Sequence, residues 1–308
     1  MPDLSISLPV LIQYLCSNFF MKAGFVNIFG KPNAGKSTLL NALMGEKLAI
    51  VSRKVQTTRH RIKGILTAKD YQIIFSDTPG IIEPRYKLHE KMMLAVKNSL
   101  EDADLALLLV DIYDDWEEND RMFSALSLKV PAIVLINKTE KVDEQKKTDA
   151  VEFFRKKHYC QEIALISALK KKGIDELLEK IKHYLPEGEP FFPGDDLTDL
   201  PTKFFCGEMI REKVFELFED EIPYQTAIYI QEFKEKTRLI KIRADIIVQR
   251  ESQKAIILGE RGKMIKELGT EARKDIEKFL DHKVFLELFV KVRANWRENE
   301  TLLKEYGY

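Results

Sequence analysis

Several protein classes are excluded by what this sequence lacks. Its three cysteines, Cys16, Cys160 and Cys206, lie far apart with no CxxC pair, so neither a zinc site nor a disulfide framework is encoded and a reducing compartment is expected. The only long apolar stretch near a terminus, Leu8 to Phe20, is broken by Pro9, Gln13, Ser17 and Asn18 and falls short of the roughly 20 residues that span a bilayer. It has no preceding Lys or Arg, which makes it a poor signal peptide. Net charge is also missing, because 49 Lys and Arg balance 49 Asp and Glu; taken alone, that sum argues against a polyanionic partner. The chain does have the bulk for two globular domains: 308 residues, 45% of them hydrophobic and 32% charged, a composition unlike that of a collagen or a disordered tail.

From Phe25 onward, apolar runs of strand length alternate with helical stretches. The candidate strands are Phe25 to Phe29, Ile73 to Phe75, Leu105 to Val110, Ala132 to Ile136 and Ile163 to Ile166. Runs such as Leu105 to Val110 are apolar on both faces, as strands buried beneath helices in a parallel sheet are, so the first half reads as doubly wound α/β. Pro186 to Pro201 holds four prolines and two glycines and can continue neither a helix nor a central strand. The domain boundary therefore falls there. The expected organisation is an extension over 1–20, a first domain over 21–185, a linker over 186–202 and a second domain over 203–308. The second reads as α+β: an amphipathic helix over 203–219, two strands within Thr226 to Val248, a helix over Lys263 to Phe279 and a last strand over Val284 to Val292.

Four motifs in the first half point to a nucleotide. Gly30-Lys31-Pro32-Asn33-Ala34-Gly35-Lys36-Ser37 follows the first strand and opens a helix. This is the GxxxxGK[ST] context, in which backbone NH groups wrap a β-phosphate, the lysine reaches the β- and γ-phosphates and the Ser37 hydroxyl ligates Mg²⁺. Asp77-Thr78-Pro79-Gly80 ends a strand about forty residues later; Asp77 is placed to hold Mg²⁺ through water and Gly80 to sense a γ-phosphate. Asn137-Lys138-Thr139-Glu140 departs from the usual NKxD by one methylene, a carboxylate for the N1-H and N2-H₂ donors of guanine whose geometry is altered or whose selectivity is loosened. Asp143 comes three residues too late to replace it. Ser167-Ala168, after the last strand, stands where such folds place a backbone contact to the guanine carbonyl. In the polar stretch Val51 to His60, Thr58 is favoured over Thr57 as a Mg²⁺ ligand formed only with the γ-phosphate bound. The residue after the DTPG is Ile81, which cannot orient an attacking water as a glutamine does, so slow intrinsic hydrolysis is expected, with Lys36, Thr58 and Gly80 the residues acting at the phosphates.

In the second half, Gly259-Glu260-Arg261-Gly262 is a GxxG turn between two helical stretches, as in a KH domain, where the loop clamps about four unpaired nucleotides. Lys263, Lys266, Arg250 and Lys254 add charge nearby, and between Lys234 and Lys266 ten Lys or Arg stand against four acids. That surplus reads as a phosphate-facing surface. By contrast, Glu101 to Asp120 holds nine acids and no base and is expected to face away from RNA.

Taken together, Lys22 to Gly30, the P-loop, Gln56-Thr57-Thr58-Arg59-His60, Asp77 to Gly80, Glu208 to Lys213, the GxxG turn and Val284 to Arg293 running to Trp296 and Gly307-Tyr308 resemble the Era family of bacterial GTPases from about Met21 to Tyr308. The resemblance implies an α/β P-loop GTPase domain with a doubly wound, mostly parallel sheet, followed by an α+β type II KH domain. It implies a Mg²⁺-dependent cytoplasmic GTPase, turning GTP into GDP, that binds the 3′ end of small-subunit ribosomal RNA and assists assembly of the small ribosomal subunit. Some association with the inner face of the membrane, a monomeric state and a K⁺ ion beside Asn33 follow from it as well. Residues 1–20 lie outside the resemblance, and Met21 is the expected start of the native protein. Another ribosome-assembly or tRNA-modification GTPase, a P-loop metabolic kinase and a structural RNA-binding protein without turnover are the alternatives. The kinase has no need of Asn137-Lys138 or a KH module, and the structural protein has no need of Lys36, Ser37 and Asp77 together.

Overall fold

The computed structural model describes residues 21–52 and 54–308, so the expectation for residues 1–20 lies outside the described residues. The first domain runs β1 (Met21–Gly30), α1 (Lys36–Met44), β2 (Ile62–Thr67), β3 (Tyr71–Asp77), α2 (Lys87–Glu101), β4 (Leu105–Asp111), α3 (Trp116–Ala125), β5 (Ala132–Asn137), α4 (Glu144–Arg155), β6 (Glu162–Leu165), α5 (Ile174–Tyr184) and a two-residue β7 (Glu187–Gly188). The strand order is β2-β3-β1-β4-β5-β6 with β7 on the start of β1. β2 and β7 pair antiparallel and the other ladders are parallel. Period-two alternation explains the double burial of β4: Leu105, Leu107 and Leu109 enter one core, and Ala106, Leu108 and Val110 the core on the opposite face. The order reverses around β1, and the crevice beyond its carboxyl end is where open α/β sheets bind ligands.

The second domain runs α6 (Thr202–Leu217), β8 (Ala227–Lys236), β9 (Leu239–Val248), α7 (Glu251–Leu258), α8 (Lys263–Leu280), β10 (Val284–Val292) and α9 (Glu300–Glu305). β9 pairs antiparallel with β8 and parallel with β10. Ile242, Ala244 and Ile246 from the sheet pack on Leu268, Ala272 and Ile276 of α8, the i, i+4 stripe that makes α8 amphipathic.

Three features depart from the sequence-based expectation. β2 was not foreseen, because Gly64 breaks the alternation of a short strand that follows polar text. The 186–202 segment is strapped to the sheet. Phe191 N and Phe192 N donate to Gln72 Oε1 at 2.7 and 3.0 Å, Gln72 Nε2 donates to Phe192 O at 2.9 Å, and Ile65 N donates to Leu197 O at 2.9 Å. Last, α6 buries much of its polar face, leaving Lys203 and Glu216 exposed: Glu208, Arg211 and Glu212 are buried along with Cys206, Ile210 and Val214, since both domains pack on this helix.

The domains also meet through an apolar cluster that joins Leu88 and Met92 of α2 to Ala227, Ile247, Trp296, Leu303 and Tyr306. His89 sits at its edge, its Nε2 3.2 Å from Gln56 Oε1 and its ring tilted 31° against Tyr86. Burial, with Arg297, Arg59 and Arg85 close by, lowers its pKa from 6.5 to about 4. The unfolded chain then holds more protons between those values, so stability is whole above pH 6.5 and falls as pH drops toward 4. From pH 7 to pH 5, His89 should cost about 1–2 kcal/mol of unfolding free energy. Denaturant titrations should therefore show a shallower acid loss for H89Q than for the unsubstituted protein; identical slopes would refute the assignment.

Candidate nucleotide site and nucleic-acid surface

The P-loop crosses from β1 into α1, whose N-cap Gly35 is left-handed. Lys36 is buried, its Nζ donating to Gly30 O at 3.1 Å and Lys31 O at 2.8 Å, so the loop's own carbonyls hold the ammonium at its centre. Burial lowers the Lys36 pKa to about 8, against the pull of Asp77. A cleft of about 540 Å³ opens over this loop, lined among others by Asn33, Lys36, Ser37, Thr58, Gly80 and Glu140.

The three residues expected to hold Mg²⁺ converge. Ser37 Oγ lies 2.6 Å from Asp77 Oδ2 and 2.8 Å from Thr58 Oγ1, and Thr58 Oγ1 donates to Asp77 Oδ2 at 3.1 Å. Thr57 turns its hydroxyl to Lys54 O at 2.8 Å, which favours Thr58 as the ligand. Asp77 Oδ1 is buried without a hydrogen-bond partner, and burial raises the Asp77 pKa despite Lys36, Ser37 and Thr58. Two hydroxyls and a desolvated carboxylate suit a small hard cation whose other ligands are phosphate oxygens and water. Among the described residues no group of three His, Cys, Asp or Glu could hold a metal without such help. A Cβ on Gly80 would stand 2.7 Å from Pro32 N, so only glycine brings the DTPG backbone against the P-loop.

At the other end of the cleft, Asn137 is a strut. Its Nδ2 donates to Ala34 O at 2.8 Å and its Oδ1 accepts from Ala168 N at 3.0 Å, locking three motifs together. Lys138 is left-handed, and its ammonium pairs with Asp111 at 2.5 Å. Glu140 Oε2 is buried and unpartnered. A buried orphan acceptor is uncommon, and this one suits the donor edge of a guanine. Asp143 caps α4 by accepting from Lys146 N at 2.8 Å and is thereby committed elsewhere.

Some motif residues face the frame. Thr78 and Thr139 donate their hydroxyls to Ile28 O and Ile166 O at 2.7 and 2.9 Å, Lys31 pairs with Glu118, and Ile81 packs on the core beside Leu108. Ser167 lines the cleft and its backbone bridges to Lys172, whereas Pro79 is buried and outside the cleft lining. Sequence reasoning missed Leu169, which lines the cleft while 71% exposed; an apolar residue directly after Ser167-Ala168 was its only signal.

In the second domain, Gly259 has φ 67° and a Cβ there would strike the Met264 side chain at 2.5 Å, so the turn needs glycine. Glu260, Arg261, Lys263 and Lys266 are exposed beside it. Lys234, Lys241 and Lys254 have acidic partners, whereas among the described residues no ion pair engages Arg250, Arg261, Lys263 or Lys266. Among the described residues Lys236, Arg238 and Arg243 of the β8–β9 hairpin are likewise exposed without an ion pair, so unpaired positive charge lies both on that hairpin and around the GxxG turn. Of the acidic segment, Asp102, Asp111, Glu118 and Asp120 are paired with bases of their own domain.

The family model described as a 50S ribosome-binding GTPase matches residues 25–138, and the KH domain model matches residues 221–297. The chain is 43% identical over 290 residues to the GTPase Era of Geotalea uraniireducens, covering 93% of this chain and 98% of that protein. This chain belongs to the Era family of GTPases. It is 44% identical to the Clostridium kluyveri Era over 94% of this chain and 99% of that one. Its fold matches an Aquifex aeolicus Era variant bound to GDP·AlF₄⁻ with a TM-score of 0.90 at 42% identity, covering 94% of this chain and 99% of the other. A crystal structure of Era with MgGDPNP and nucleotides 1506–1542 of 16S ribosomal RNA matches with the same score, identity and coverage. Likeness over 93–94% of the chain, both domains included, removes the kinase reading.

The orphan oxygen makes Glu140 the test of base selectivity in this Era-family site. E140A should weaken GDP binding by roughly 10²-fold and bring the GTP-to-ITP affinity ratio toward one, because inosine lacks the N2 donor pair that the carboxylate would accept. Calorimetric titrations with both nucleotides check this, and an unchanged ratio would show that Glu140 does not read the base.

Proposed function

We propose that this Era-family GTPase is a switch in which the nucleotide on the first domain governs how the KH domain holds the unpaired 3′ region of small-subunit ribosomal RNA during assembly of the small subunit. The observation that carries the reading is a GxxG turn flanked by the exposed, unpaired cations Arg250, Arg261, Lys263 and Lys266 in the same chain as a cleft built on a P-loop. The related Era crystallised with MgGDPNP and a 16S ribosomal RNA fragment supports it.

Within the cleft, the P-loop amides and Lys36 bind and orient the phosphates, Glu140 reads the base, and Ser37, Thr58 and Asp77 are the residues that would hold Mg²⁺. Bound there, the metal would offset charge on the β- and γ-phosphates. Ile81 is a partly buried apolar residue packed against the core, with no group to orient a water, which supports slow turnover. At the GxxG turn, Arg250, Arg261, Lys263 and Lys266 act on RNA phosphates and the two glycines let the backbone approach them. A monomeric state, a cytoplasmic location, K⁺ beside Asn33 and contact with the inner membrane face rest on the family resemblance alone. Among the described residues no helix is long and apolar enough to cross a membrane.

Two measurements test the reading. ATP should fail to displace a labelled guanine nucleotide that GTP displaces readily; equal displacement by ATP would end the guanine-switch reading. For RNA, R261E/K263E should weaken binding of a single-stranded 3′-end fragment at least tenfold and flatten its salt dependence by about two phosphate contacts, with GDP affinity unchanged. Undiminished RNA binding would move the interface elsewhere.

A further inference from the structure

The loop that carries Thr58 is held by the second domain. Lys54 Nζ donates to Phe215 O and Phe218 O at 2.7 and 2.5 Å, at the carbonyl end of α6, where a cation is favoured. Val51 N donates to Glu212 Oε1 at 3.2 Å. The two residues flanking Thr58 are fastened most firmly. Before it, Thr57 O accepts from Arg211 Nη2 at 2.6 Å. After it, Arg59 donates to Thr226 O at 2.7 Å, Pro223 O at 2.9 Å, Tyr224 O at 3.2 Å and Tyr308 Oη at 3.2 Å. His60 then stacks on Tyr308, ring centroids 4.6 Å apart. Gln56, just ahead, has a left-handed φ of 56°, a conformation a non-glycine residue keeps only where its surroundings enforce it.

Arg211 and Glu208 form a buried pair one turn apart on α6, Nε to Oε1 2.7 Å and Nη2 to Oε2 2.5 Å. Arg211 is 1% exposed. Two apolar residues of like volume would pack there at least as stably, since a buried ion pair is weak evidence for stability. What only the charged pair supplies is a rigid directional donor to the Thr57 carbonyl, with Glu208 fixing the guanidinium plane.

We propose that Arg211, oriented by Glu208, is a positioning residue for Thr58: with Arg59 it pins the backbone on both sides of that residue, so that the second domain sets whether the Thr58 hydroxyl stands beside Ser37 and Asp77. The proposal rests on the GTP-switch reading and deepens it. Movement of α6 relative to the first domain removes one ligand of the GTP-bound state and leaves the P-loop, Lys36 and Glu140 untouched. GTP and GDP forms are thereby distinguished by the second domain through the guanidinium groups of Arg211 and Arg59 on either side of Thr58.

The test compares MgGDPNP with GDP binding by calorimetry across a Mg²⁺ series in R211M/E208M, which removes both charges together and leaves no buried ion unpaired, in T58A, and in the triple variant. R211M/E208M should raise the Mg²⁺ concentration for half-maximal GDPNP binding about tenfold, as loss of an outer support of a metal ligand does, and leave GDP affinity within twofold. In the triple variant the penalty should equal that of T58A alone, because the pair acts only through Thr58. R59K, which keeps the charge and loses the fork, should shift the Mg²⁺ requirement in the same direction and decides the matter if R211M/E208M does not fold. A GDPNP-to-GDP ratio equal to that of the unsubstituted protein in a folded variant, or penalties that add to that of T58A, would overturn the proposal. Failure of the switch reading is separate: it would appear as the unsubstituted protein binding guanine nucleotides without Mg²⁺ dependence.

Discussion

The backbone from Thr57 to Arg59 is the constraint on which the rest depends. Three residues long, it belongs to both domains: the Thr58 hydroxyl lies in the cluster with Ser37 and Asp77, while the groups on either side of it are bound to α6 and to the segment leading into β8. A buried arginine with four acceptors is not released piecemeal, because each carbonyl left behind loses its partner and remains desolvated. The loop is therefore held or freed as a unit, which is the property a switch needs. The apolar contact of α2 with Trp296 and Tyr306 places the segment after Gly80 under the same domain, so both stretches that flank the γ-phosphate position answer to one partner.

Charge follows the same division of labour. A net of zero conceals two opposed distributions, and the structure refines each. Four acids of the Glu101 to Asp120 segment are spent on lysines and an arginine of their own domain, so that segment is less repulsive than its composition suggests. In the second domain, pairing engages Lys234 and Lys241, whereas among the described residues Lys236, Arg238 and Arg243 of the hairpin and Arg250, Arg261, Lys263 and Lys266 about the GxxG turn have no ion pair.

How much was legible in advance follows from the range of each interaction. Strands such as Leu105 to Val110 and the glycine-bearing motifs are local patterns that carry their own signal, and Ser37, Thr58, Asp77 and Glu140 were found through them. β2 was lost because Gly64 interrupts a six-residue pattern. The burial of Glu208, Arg211 and Glu212 could not be read at all: in sequence they form the polar face of an amphipathic helix, and only the first domain packed on that face makes them interior. For the same reason Arg59 looked like loop charge, although its partners lie more than 160 residues away.

Hydrogen exchange, followed by mass spectrometry, of segments 54–60 and 203–226 in the GDPNP and GDP states tests the coupling most directly. If the loop and α6 are one clasp, both segments lose protection together when GDPNP is replaced by GDP. Loss confined to 54–60, with 203–226 unchanged, would show that the second domain does not hold the Thr58 loop.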